Sequence, residues 1–196
     1  IAHRIANLIS SGVHPKNILA VTFTNKAAKE MRDRVAILLR QSAPEVTFGA
    51  DSPSGAPLIS TFHSLGVMVL KENAGVLGIS RYFSILDKDE SQSLIKKSIK
   101  DLGLNPKEIN ANAVQAVISR EKNKLRTPEE FRAKNEDGYW GGTVHSIWER
   151  YEKRLQEQKA FDFDDLIQRP VFLLRENERV RNYYQDLWKY IHIDEY

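Results

Sequence analysis

This sequence predicts an α/β fold, a parallel sheet interrupted by an all-helical insertion, and three observations carry that expectation. Two short apolar runs, Ile18 to Phe23 (ILAVTF) and Leu58 to Thr61 (LIST), are each followed by a segment with helical period, the order of an α/β unit. From Asp87 to Lys159 the helical period continues with no strand signal between. A third apolar run, Tyr190 to Asp194 (YIHID), then returns the chain to the sheet.

Each element has a local reason. Ile1, Ile5, Leu8 and Ile9 share one helical face, and Gly12 followed by Pro15 ends that helix. The run from Ile18 is apolar and partly β-branched, as in a strand buried on both faces. Between Lys26 and Arg40, Ala27, Met31, Val35, Leu38 and Leu39 form one stripe, with Lys29, Glu30, Arg32, Asp33 and Arg34 opposite, which predicts a surface helix packed on the sheet. Gln41 to Pro57 holds three prolines and two glycines among small polar residues and reads as a loop. After Leu58 to Thr61, a helix follows around Leu65, Met68, Val69 and Leu70. Asp87 with Glu90, Asn105-Pro106 with Glu108, and Thr127-Pro128 with Glu130 are three helix starts by their capping chemistry. Leu94, Ile95, Ile99, Val114, Val117, Ile118, Ile147, Trp148, Tyr151 and Leu155 supply a second core for this helical segment. Phe161 to Leu174, with Pro170 inside it, and Glu178 to Trp188 complete the helical patterns.

Bulk composition narrows the class. The chain has 196 residues, 41% hydrophobic and 28% charged, an ordinary globular balance. No apolar run reaches bilayer length, no signal peptide opens the chain, and zero Cys removes thiolate metal sites and disulfides, which fits a cytoplasmic protein. The net charge of +3 favours a polyanionic partner only slightly, because 29 basic residues meet 26 acidic ones. Ile rather than Met at the start and Asp194-Glu195-Tyr196 at the end suggest a segment of something longer.

Chemistry concentrates where strands end. Thr22, Phe23, Thr24, Asn25 and Lys26 stand between a strand and a helix, the edge at which open α/β sheets bind ligands. Hydroxyls, an amide and helix-start N–H groups suit backbone phosphates, and an exposed Phe offers a base a stacking face. The plainer reading has Asn25 capping the helix, Phe23 in the core and Lys26 solvated. Thr61, Phe62, His63 and Ser64 repeat the arrangement at the next strand, with His63 either a capping residue or a ligand contact. The strand from Tyr190 delivers Asp194 and Glu195 to its C-terminal end, which suits a magnesium nucleotide site, with Asp194 toward the ion and Glu195 orienting water, or else forms a solvated turn. Asp162, Asp164 and Asp165 read as acids at a helix start, with Asp162 a cap, ahead of a metal role whose further partners the sequence does not identify. The run from Ser119 to Thr127 (SREKNKLRT) either touches duplex phosphates or is a solvated helix end.

TFTNKAAKEM, ISTFHS, FDFDDLI and YIHIDEY, in this order and at this spacing, resemble the UvrD/Rep/PcrA-type superfamily 1 DNA helicases, the PcrA branch most of all. The resemblance covers essentially the whole chain, from just after the family's phosphate-binding loop into its Walker B motif. It implies a partial RecA-like P-loop NTPase sheet, with residues 1–86 as the first part of subdomain 1A, 87–159 as the helical insertion 1B able to meet duplex DNA, and 160–196 as the return to 1A. By position, Thr22, Phe23 and Asn25 would belong to a motif that contacts single-stranded DNA, Phe23 stacking on a base, with Thr24 inside the same stretch. Thr61, Phe62 and His63 would form the next DNA-contacting motif, Asp194 would bind Mg²⁺ through water, and Glu195 would activate the water that attacks ATP. The implied activity is ATP-dependent unwinding of DNA in repair or replication, with ATP and Mg²⁺ as cofactors and single-stranded DNA and the single-strand/duplex junction as partners. No GxxxxGK[ST] occurs in these residues, so they are expected neither to hydrolyse ATP nor to unwind DNA by themselves. The rival readings are the motor of a RecB/AddA-type helicase-nuclease and a non-catalytic nucleic-acid-binding module.

Overall fold

A computed structural model describes residues 1–42, 55–134 and 138–194. Its elements run α1 (Ala2–Ser10), β1 (Ile18–Thr22), α2 (Asn25–Ser42), β2 (Leu58–Thr61), α3 (Phe62–Glu72), α4 (Ala74–Leu77), β3 (Ser84–Ile85), α5 (Lys88–Asp101), α6 (Ala111–Asn123), α7 (Pro128–Lys134), α8 (Tyr139–Glu157), β4 (Ala160–Phe161), α9 (Asp165–Glu176), α10 (Glu178–Leu187) and β5 (Tyr190–Ile193). The chain is helix-rich α/β and divides into two compact units, one built from residues 1–68 with the stretch from Leu173 onward, the other spanning Val69–Phe172. Among the described residues no helix is long and apolar enough to cross a membrane.

The first unit holds a three-stranded parallel sheet in the order β2-β1-β5. Every residue of β1 is buried, as its unbroken apolar run requires of a central strand with both faces covered. Ala20 pairs with Ile59 on one side and His192 on the other, so these three side chains share a face. Ile18, Ala20 and Ile59 on that face pack with Ile5 and Ile9 of α1 and with Met31, Val35 and Leu39 of α2. The amphipathic stripes of both helices thus find the sheet that created them. α1 stops where Gly12 adopts φ +92°, letting the N–H of Val13 reach the Leu8 carbonyl at 3.0 Å. β5 is the exception in burial, since Tyr190, Ile191 and Ile193 are exposed.

The second unit is the helical one. Its core joins Leu94, Ile95 and Ile99 of α5, Val114 and Ile118 of α6, Phe131 of α7, and Val144, Ile147, Trp148, Tyr151 and Leu155 of α8. α5 begins at a complete capping box, with Asp87 accepting from the Glu90 N–H at 2.8 Å and Glu90 accepting from the Asp87 N–H at 2.9 Å. Thr127 and Glu130 build the same box at α7.

Several expectations shift. Asn105-Pro106 starts only a turn, in which Asn105 accepts from the Lys107 N–H; α6 begins later, where Asn110 accepts from the N–H groups of Asn112 and Ala113. The helix expected from Phe161 starts at Asp165, because Ala160 and Phe161 are drawn into a two-stranded parallel pair with Ser84 and Ile85. Pro170 is carried inside α9 without ending it. The compact helical unit is wider than residues 87–159, since that strand pair and the buried charges described below fasten residues 160–169 to the helices. Of the loop expected from Gln41 to Pro57, residues 43–54 lie outside the described residues.

Candidate functional site

In a parallel sheet all strands end at one edge, and here that edge collects most of the side chains the sequence singles out. Thr22, Thr61 and Ile193 are the last residues of β1, β2 and β5. Thr22 lies opposite Thr61 in the ladder, and the Asp194 N–H continues the pairing by donating to the Val21 carbonyl at 2.9 Å. The two corners and Asp194 therefore share a rim.

At the first corner the cap is Thr24, not Asn25: the Thr24 hydroxyl oxygen accepts from the Ala27 N–H at 3.1 Å, and its carbonyl accepts from the Ala28 N–H. Asn25 is the first residue of α2 and is exposed. Phe23 is not core; 61% of its surface is open, although the five residues before it are all buried. Lys26 is exposed and 3.9 Å from Glu30. Thr22 faces the other way, 1% exposed, with its hydroxyl oxygen buried and without a hydrogen-bond partner. No acid occupies the first turn of α2.

The second corner is built alike. Thr61 is buried, and its hydroxyl accepts from the Ser64 N–H at 3.2 Å while donating to the Ser64 hydroxyl at 3.0 Å. This cap starts α3 and carries Phe62 and His63 half-buried beside it. The Phe62 ring meets that of Phe23 at 5.4 Å between centroids, so the two corners are joined by their aromatics.

Asp194 is half-buried immediately beyond β5, and Glu195 lies outside the described residues. Two positions earlier, burial pushes the His192 imidazole below its ordinary value, with the charge of Arg4 acting in the same direction. His192 Nε2 is buried without a hydrogen-bond partner.

The basic run and the acidic run sit elsewhere, in the helical unit, and spend much of their charge internally. Lys122 is 1% exposed, with its ammonium 2.7 Å from Glu152, 2.9 Å from Asp162 and 3.0 Å from Asp165. Burial alone would lower its pKa, but Asp165, Glu152 and Asp162 together raise it well above the usual lysine value. Arg120, Lys124 and Arg126 all pair with Glu121, itself 3% exposed. Lys122 is thus closed to a phosphate, and the other three bases are already paired. The Asp162 carboxylate accepts from the N–H of Asp165, the first residue of α9, at 2.8 Å, and the Asp165 carboxylate accepts from the Asp162 N–H at 3.2 Å. Glu121 and Glu152 went unnoticed in the sequence, because a single acid among bases and an acid on a helix face carry no local signal of burial.

The family model of the UvrD/REP helicase N-terminal domain matches residues 1–196. Along the whole chain it is 40% identical to the ATP-dependent DNA helicase PcrA of Bacillus subtilis (strain 168), 38% to that of Staphylococcus aureus (strain Mu50 / ATCC 700699) and 37% to that of Staphylococcus epidermidis (strain ATCC 12228 / FDA PCI 1200). It spans 25% of the length of each of these relatives. With a parallel sheet whose strand-end corners carry the motifs in register, the chain belongs to the UvrD/REP helicase N-terminal domain family.

Proposed function

We propose that residues 1–196 serve an ATP-driven DNA helicase, supplying part of its single-strand track and the acids of its ATPase site. The observation that supports this reading best is the common rim, where two capped corners joined by Phe23 and Phe62 stand beside the strand that leads into Asp194. The exposed Phe23 ring offers a face on which any base can stack. Thr24, Asn25 and the first-turn N–H groups of α2 suit a backbone phosphate, with His63 and Phe62 continuing the track at the second corner. Thr22, with its hydroxyl turned inward, shapes the first corner through its backbone.

On the nucleotide side, the Asp194 carboxylate is a hard oxygen donor at a strand end, which fits Mg²⁺ held largely by phosphate and water. Bound ATP with Mg²⁺ supplies the phosphoryl group to be transferred and neutralises its charge. Asp194 would hold the ion through water, and Glu195 would orient the attacking water and accept its proton. No phosphate-cradling GxxxxGK[ST] lies in residues 1–196, so that work is assigned to none of them. The partners on this reading are single-stranded DNA and the single-strand/duplex junction, with the helical unit toward the duplex, in cytoplasmic repair or replication. The relatives' name, ATP-dependent DNA helicase, favours this over a non-catalytic module.

The test is a pair of substitutions in the full-length protein. Glu195→Gln should abolish ATP hydrolysis while strand binding persists, and Phe23→Ala should weaken strand binding. Hydrolysis that survives Glu195→Gln, together with unchanged strand affinity in Phe23→Ala, would end the proposal.

A further inference from the structure

The strand track and the nucleotide acids leave two charged motifs unused, the run Arg120 to Arg126 and the carboxylates Asp162, Asp164 and Asp165. The structure makes them each other's partners. Beyond the bonds of Lys122, the Asn123 amide donates to Asp164 at 3.1 Å and the Gln168 amide donates to the Arg126 carbonyl at 2.8 Å.

We infer that these motifs form an ion lock, centred on Lys122, which fixes α6, α8 and the start of α9 in a single register and so makes the helical unit one rigid piece. The ammonium donates to Asp162 and to Asp165 and stands in ion-pair contact with Glu152 of α8 at 2.7 Å. The two aspartates stand 40 and 43 positions away, so one side chain gathers parts of the chain that local structure never brings together. Arg169 closes the arrangement, donating to Asp165 at 3.1 Å and to Glu152 at 2.9 Å, and the Tyr151 hydroxyl donates to Asp162 at 2.9 Å. Apolar contacts among the Ile, Val and Leu of this core are non-directional and by themselves specify register only weakly. A buried ammonium among three carboxylates fixes it, because any slip strands a charge away from water. Three carboxylates face two cations, Lys122 and Arg169. Burial and the neighbouring Asp165 push the Asp162 carboxyl up to about 6 against the pull of Lys122.

A reporter is built in, since the Trp148 indole N–H donates to the same Glu152 carboxylate at 3.1 Å. In the 196-residue chain, Lys122→Met should lower the thermal midpoint by roughly 10 °C or more and move the Trp148 indole N–H resonance, because it leaves three carboxylates without their ammonium. The variant Lys122→Met/Glu152→Gln/Asp162→Asn keeps the Asp165–Arg169 pair and removes the repulsion. It should regain most of the lost midpoint while amide exchange in α6 and α9 stays faster than in the parent chain. A Lys122→Met chain that melts like the parent with an unmoved Trp148 resonance overturns the lock. A compensated variant no more stable than Lys122→Met also overturns it, by assigning the loss to the packing of the lysine stem.

Discussion

The rings of Phe23 and Phe62, carried by two different strand ends, meet with centroids 5.4 Å apart and planes inclined by 58°. Phe62 is half-buried and Phe23 is largely open, so the inner ring props the outer one. Phe23→Ala in the full-length protein should weaken binding of a labelled oligo-dT by roughly 5- to 100-fold, the worth of one base–aromatic stack, as read by fluorescence anisotropy. Phe62→Ala should lower affinity less, by loosening Phe23. If Phe62→Ala proved the more damaging of the two, Phe62 rather than Phe23 would be the stacking ring.

Thr24 holds the start of α2 through its hydroxyl. Thr24→Ala should destabilise the sheet unit by about 1 kcal/mol, and Thr24→Ser should restore most of it. Asn25→Ala should leave the denaturant midpoint nearly unchanged, and a larger loss there would return the capping role to Asn25.

Glu121 gives a pH dependence of known sign. Burial pushes its carboxyl up, but hydrogen bonds from Lys124, Arg120 and Arg126 outweigh this and bring it down from 4.5 to about 2. Its contribution is therefore present above about pH 4.5 and lost as pH falls toward 2. Glu121→Gln should destabilise the chain at neutral pH by on the order of 1–3 kcal/mol, since exposed partners are screened, and flatten the acid limb of the stability profile. Parallel profiles for the two proteins across that range would refute the assignment.

His192 acts in the opposite region. Its folded value lies below 6.5, so the folded state binds the proton less well than the unfolded chain, and stability declines as pH falls below about 6.5. His192→Gln should remove that decline. Urea midpoints measured from pH 8 to pH 5 decide it, and an unchanged slope in the variant would place the sensitivity elsewhere.

Much of the architecture was legible in one dimension because it has one-dimensional causes. Period and apolar content mark β1, β2 and β5; the capping boxes at Asp87 and Thr127 mark α5 and α7; and parallel strands followed by helices place TFTN, TFHS and Asp194 at strand ends. Asn105 and Asn110 show the limit: both are adequate caps, and only Asn110 starts a helix that continues.

The sequence by itself determined the order of elements, the division between sheet and helices, and the stretches that carry the motifs, since these follow from residue type and spacing over a few turns. Only the tertiary structure decided that Thr22 faces inward while Phe23 faces out, that Phe62 stands behind Phe23, and that Lys122 belongs to buried carboxylates rather than to a phosphate. The reason is physical. A side chain's periodicity is set by its neighbours along the chain, but its burial and the sign of the charge it meets are set by residues that folding brings from 40 positions away.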